Sequence, residues 1–188
     1  ALRVAKIAAG RGLDIGALTH PVGVIPASAD ISGAGMALAY AIARQESEFN
    51  VGAVSGAGAR GLLQLLPGTA QEIARKTGLP YSKDRLTTDA GYNATLGAAF
   101  LGEQLSKFGG SYVLTFAGYN AGPRRAREWI AKYGDPRGKD LDTVVDWIER
   151  IPFTETRTYV QRVMENYEVY KMRISGTFDI ADDLVNGR

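Results

Sequence analysis

The chain has 188 residues, 45% of them hydrophobic and 22% charged, with a formal net charge of +2. That is the balance of an ordinary one-domain globular protein, and the charge is too small to select nucleic acid as a partner. Cysteine is absent and His20 is the single histidine, which excludes disulfides, thiolate or His-rich metal sites and cysteine nucleophiles, and makes a Ser-His-Asp triad depend on a His20-Pro21 loop.

In chain order, Leu2-Arg3-Val4-Ala5-Lys6-Ile7-Ala8 reads as a short helix ended by Gly10 or Gly12. A Pro- and Gly-containing run, His20 to Gly35, follows it. From Ala37 the pattern becomes a succession of helices broken by Gly and Pro, without alternating β-branched runs, so the fold class expected is all-α. The first strong helix should run from about Gly35 to Phe49. A second should start at Pro67, suited to a first helical turn, and stop near Gly78. Further helices are expected over Asp89 to Phe108, from Ser111 toward Asn120, over Arg124 to Tyr133 and over Asp142 to Arg150, each closed by Gly or Pro, and a long one over Thr154 to Arg173. No apolar stretch is long enough to cross a bilayer, no signal peptide opens the sequence, and the missing initiator Met suggests a fragment or processed form.

Within the first strong helix, Ala39, Ile42, Ala43 and Phe49 all fall within about 60° of Glu46 at 100° per residue. Glu46 therefore sits on the apolar stripe, while Arg44 and Glu48 share the opposite, solvated side. Burial and the negative end of the helix dipole both disfavour an ionised carboxylate, so Glu46 is expected to have a raised pKa, as a general acid at a glycosidic bond requires. Spacing alone fits equally a buried glutamate paired to an arginine or tyrosine for architecture. The loop that follows, Gly52 to Gly61, contains four glycines in ten residues and lets the backbone approach a ligand or simply fold tightly.

Ala43-Arg44-Gln45-Glu46-Ser47, Gly61-Leu62-Leu63-Gln64 and Gly118-Tyr119-Asn120-Ala121-Gly122 together resemble, in order and spacing, three signature motifs of the soluble lytic transglycosylase family. Ile151-Pro152-Phe153-Thr154-Glu155-Thr156-Arg157-Thr158-Tyr159-Val160, followed by Glu165-Asn166-Tyr167, resembles a fourth. The resemblance covers about Ala37 to Arg173 and implies a lysozyme-like helical domain. It implies cleavage of the β-1,4 bond between N-acetylmuramic acid and N-acetylglucosamine, leaving a 1,6-anhydro sugar. Glu46 would protonate the leaving oxygen and then take the proton of the C6 hydroxyl. Assistance from the substrate's own N-acetyl group accounts for the missing second carboxylate.

The same resemblance places Ser47, Gln64, Tyr119, Asn120, Glu155 and Tyr167 at the substrate. Each also fits a plainer role. Ser47 suits a helix-end hydroxyl, Gln64 a loop brace, Tyr119 and Asn120 a helix stop before Gly122-Pro123, Glu155 a first-turn acid favoured by the dipole, and Tyr167 a core stripe with Val160, Val163 and Tyr170. Leu63 stands where the family commonly has Met, Gly118 where it has Ala, and Val51 where it has Pro.

The domain expectation is an N-terminal extension over 1–35, resembling the end of a helical superhelix in a longer protein, a catalytic domain over 36–174 and a tail over 175–188. No metal or cofactor is expected. The expected partner is peptidoglycan glycan strands, with no nucleic acid and no membrane span, the chain a monomer in the bacterial periplasm. The competing functions are a lysozyme-type hydrolase, in which water replaces the C6 hydroxyl, and a non-catalytic peptidoglycan-binding module.

Overall fold

The computed structural model describes residues 2–13 and 16–188; Ala1, Asp14 and Ile15 of the expected N-terminal extension lie outside the described residues. Helices and loops account for the described residues, with isolated bridges at Val54–Arg60 and Arg60–Leu65 and no strand among them. The all-α expectation holds. The chain forms two compact units, residues 1–99 and 100–188.

The first unit contains α1 (Leu2–Gly10), a 3-10 turn (Gly16–Thr19), α2 (Met36–Ser47), α3 (Pro67–Thr77), α4 (Arg85–Thr88) and the start of α5 (Ala90–Lys107). Six consecutive residues of α2, Leu38 to Ala43, are buried, so this helix is covered on every side rather than along one stripe. The N-terminal segment is fastened to it. Tyr40, 1% exposed, accepts through its hydroxyl from the Gly23 and Ile25 amides at 2.8 and 3.1 Å, and Arg44 donates to the Thr19 carbonyl.

α2 ends two residues earlier than its apolar pattern suggests. Glu48 caps it in the left-handed conformation at φ 52°, and Phe49 follows at φ 63°, its ring 5.8 Å from that of Tyr40. Phe49 thus continues the stripe in space but not in the helix. α3 begins at Pro67 and closes on left-handed Gly78 as read from the sequence. α4 was not legible, being a single turn too short to show a period.

The second unit holds the rest of α5, then α6 (Tyr112–Ala121), α7 (Pro123–Tyr133), α8 (Leu141–Glu149), α9 (Thr154–Ser175) and α10 (Ile180–Val185). Ser111 caps α6 by accepting from the Leu114 amide, and α6 is buried from Tyr112 through Gly118, packing on α7 and α9. Gly118 has a local reason to lack a side chain: a Cβ there would lie 2.7 Å from the Phe108 ring. α10, unanticipated in the sequence, is capped by Asp179 and tied to α9 by the Lys171–Asp183 ion pair.

Candidate functional site

In the first unit the last turn of α2 carries Glu46 and Ser47, both half-buried. The Ser47 hydroxyl donates to the Leu62 carbonyl at 2.8 Å, with the Ala43 carbonyl 3.1 Å away as its alternative acceptor. That bond joins the α2 end to the Gly61–Gln64 turn. The loop between them closes on itself: Gly61 donates to the Ala53 carbonyl, and Arg60 and Leu65 exchange backbone hydrogen bonds at 2.9 and 3.1 Å.

Gln64 sits in that turn at φ 47°, and its side-chain amide donates to the Gly61 and Ala53 carbonyls at 2.9 and 3.2 Å. Glu48, Phe49 and Gln64 are the non-glycine residues of left-handed φ among the described residues. Such conformations cost about 1–3 kcal/mol each and gather at functional sites. All three lie next to Glu46 in sequence or in the turn that Ser47 binds, so Glu46, Ser47 and Gln64 share one deliberately shaped piece of backbone.

In the second unit, Asn120 at the end of α6 accepts through Oδ1 from the Thr156 hydroxyl at 2.7 Å. Thr156, 2% exposed, lies in the first turn of α9 beside exposed Glu155. Asn120 and Glu155 are therefore neighbours through Thr156, a residue inside a recognised motif that the sequence reading passed over. Arg157 secures the same helix start by donating to the Glu149 and Ile151 carbonyls. Tyr119 is half-buried, its ring 5.3 Å from Phe100.

Tyr167 stands apart from this group, three turns or about 16 Å further along α9 than Thr156. It is 8% exposed, its hydroxyl is 2.9 Å from that of Tyr112 on α6, and the two rings are 4.8 Å apart. Burial first, then this hydrogen bond, pushes the Tyr112 phenol well above its ordinary range; burial raises Tyr167 as well, against the lowering effect of the Tyr112 bond. Among the described residues, no group of three or more His, Cys, Asp or Glu could hold a metal ion, and no helix is long and apolar enough to cross a membrane.

Helical motif bearers on an all-α chain are those of a lysozyme-like helical domain, and the sequence belongs to the Transglycosylase SLT domain family, whose model matches residues 24–141. That stretch includes Glu46, Ser47, Gln64, Tyr119 and Asn120; Glu155 and Tyr167 lie beyond it. Over 133 residues the chain is 40% identical to the soluble lytic murein transglycosylase of Escherichia coli K12, a match covering 70% of this chain and 20% of the relative. The chain thus spans about a fifth of the length of the curated relatives it matches.

Among solved structures, the lytic transglycosylase Slt of Pseudomonas aeruginosa, determined as an inactive mutant with glutamine in place of a glutamate, superposes with TM-score 0.80 at 38% identity. That match covers 95% of this chain and 29% of the other. The 70-kDa soluble lytic transglycosylase of E. coli gives TM-score 0.76 at 31% identity, covering 92% and 28%.

Proposed function

We propose that this chain is the catalytic part of a peptidoglycan lytic transglycosylase, cutting the β-1,4 bond between N-acetylmuramic acid and N-acetylglucosamine and leaving 1,6-anhydromuramic acid ends. One observation carries the reading: Glu46 lies half-buried on the last turn of α2, separated by one residue from left-handed Glu48 and Phe49 and stapled through Ser47 to the turn that holds Gln64. The family membership supports it, as does a structural neighbour made inactive by one glutamate-to-glutamine change.

In this reading Glu46 first donates its proton to the leaving glycosidic oxygen as the anomeric carbon becomes oxocarbenium-like. The carboxylate so formed then accepts the C6 hydroxyl proton while that oxygen closes onto the anomeric carbon. Proton and charge balance within one residue, and no water is consumed. Gln64 has both amide protons committed to the Gly61 and Ala53 carbonyls, so it meets sugar hydroxyls through its carbonyl oxygen. Ser47 holds the α2 end to the turn and offers its oxygen to the N-acetyl region. Tyr119, Asn120, Glu155 and Tyr167 are the proposed glycan contacts of the second unit. Thr156 donates to Asn120 Oδ1 and so turns the Asn120 amide protons outward as donors.

We place the catalytic region at 36–174, working without cofactor on glycan strands in the periplasm as a monomer. The test is mass spectrometry of muropeptides released from purified peptidoglycan by the wild type and by Glu46→Gln. Anhydro products from the wild type alone are expected. Hydrated reducing ends would instead make the chain a lysozyme-type hydrolase, and no release from either protein would leave a binding role.

A further inference from the structure

Asn93 is a polar residue on the inner face of α5, with no exposed surface. Its side chain makes three hydrogen bonds to backbone groups, two of them far away in sequence at Arg60 and Leu63 and one nearby at Leu86. Oδ1 accepts from the Leu63 amide at 2.9 Å, and Nδ2 donates to the Arg60 carbonyl at 2.9 Å and the Leu86 carbonyl at 3.0 Å. A buried amide that matches one donor and two acceptors simultaneously fixes both the position and the rotation of the segment it grips. Two of its three partners, the Arg60 carbonyl and the Leu63 amide, belong to the Gly61–Gln64 turn and the residue leading into it, and the third ties that turn to α4 at Leu86.

The grip is close. A Cβ on Gly61 would lie 2.2 Å from Asn93 Nδ2, so the turn rests directly on the amide. On either side of Leu63, the residue whose amide Asn93 holds, stand Leu62, whose carbonyl receives the Ser47 hydroxyl, and Gln64, held at φ 47°. A left-handed glutamine persists only where its surroundings over-determine it.

We propose that Asn93 is a positioning residue of the reaction: through the turn it sets the place of Gln64, and through Leu62 and Ser47 the place of the α2 end that carries Glu46. The proposal rests on the functional reading above. Asn93 itself touches no substrate.

The test compares Asn93→Ala and Asn93→Asp with a core control on α3, Ile73→Ala, buried in the same unit at 3% exposure. Turnover of peptidoglycan and backbone amide exchange at Leu63 and Gln64 are both followed. In Asn93→Asp a carboxylate still accepts from Leu63 but faces the Arg60 and Leu86 carbonyls without a proton. Acid restores one donor, and burial places that protonation at raised pH.

The expected result is a loss of about tenfold or more in kcat/KM for both Asn93 variants at about pH 8, since a displaced catalytic group is costly even when folding survives. Leu63 exchange should accelerate, Asn93→Asp should recover several-fold relative to wild type at about pH 5, and Ile73→Ala should keep both turnover and Leu63 protection. Turnover of Asn93→Ala within twofold of wild type, unchanged Leu63 exchange, or an equal effect from Ile73→Ala would each overturn the proposal. Should Asn93→Ala not fold, the pH-dependent Leu63 exchange of Asn93→Asp decides. An inactive wild type would sink the functional reading, while the exchange data would still decide whether Asn93 holds the turn.

Discussion

A methyl group placed on Gly61 would lie 2.0 Å from the Leu86 carbonyl oxygen, on a backbone at φ 76° that L side chains rarely adopt. Both obstacles are backbone or buried amide, so neither yields cheaply. Gly61→Ala is expected to destabilise the protein by about 3 kcal/mol or more, adding a steric overlap to a strained conformation. Gly97 on α5 makes the related case from the other side, where a Cβ would meet Leu63 at 2.5–2.7 Å. There a helix-propensity gain of about 1 kcal/mol opposes the overlap, and Gly97→Ala should still lose stability because Leu63 is pinned by Asn93. Gly68, at the start of α3 with nothing within 4 Å, is the contrast: Gly68→Ala should gain a few tenths to about 1 kcal/mol. Urea unfolding of the three variants checks all of this, and a Gly61→Ala loss below about 1 kcal/mol would mean that the turn shifts freely.

Between elements, a buried polar contact joins α6 to α9 through the Tyr112 and Tyr167 hydroxyls. Removing one hydroxyl leaves the other buried and unpaired, whereas removing both leaves two packed rings. Tyr112→Phe is therefore expected to cost about 1–2 kcal/mol, and the double variant with Tyr167→Phe less than the sum of the singles by about 1 kcal/mol. Strict additivity in a double-mutant cycle would show that the pair is not coupled. If Tyr167 also meets the glycan, Tyr167→Phe will lower turnover more than Tyr112→Phe does, at equal stability loss. The helices themselves were largely legible because Pro67, Gly78, Gly109, Gly122, Pro123, Gly134 and Pro152 mark their ends with backbone chemistry that can be read locally. The end of α2 was misjudged because left-handed Glu48 and Phe49 carry no glycine signal. Glu46 was visible as a charge on an apolar stripe. Asn93 and Thr156 were not, because a polar side chain that serves backbone or side-chain groups thirty residues away leaves no period in the sequence.

For the molecule as a whole, the dependence of stability on pH follows from carboxyl groups shifted in opposite directions. Asp30, Asp89, Asp135 and Asp140 are held below the ordinary 3.8 mainly by hydrogen bonds to their carboxylates: from Ser32, from the Tyr92 amide, from Arg137 and from the Thr143 amide. Their stabilisation is present above about pH 3.8 and disappears as pH falls through their lower folded values. Glu168 on α9 runs the other way. It is 6% exposed, its oxygens have no donor in good hydrogen-bond geometry, and the Asp183 carboxylate of α10 lies beside it. Burial first, then the neighbouring Asp183 carboxylate, pushes Glu168 up to about 7, against the pull of Lys171 and the Asp179 amide. Its folded value exceeds the ordinary 4.5, so the native state holds the proton more tightly than the unfolded chain. Stability from this group is full below pH 4.5 and is lost as pH rises through about 7. The two limbs together put the stability maximum on the acid side of neutrality, near pH 4 to 5. Thermal midpoints measured from about pH 3 to 8 should therefore decline between pH 5 and 7.5, and Glu168→Gln, a neutral amide in the same place, should flatten that decline while leaving the acid limb intact. An unchanged neutral limb in Glu168→Gln would remove Glu168 as its cause and leave the docking of α10 to the Lys171–Asp183 pair alone.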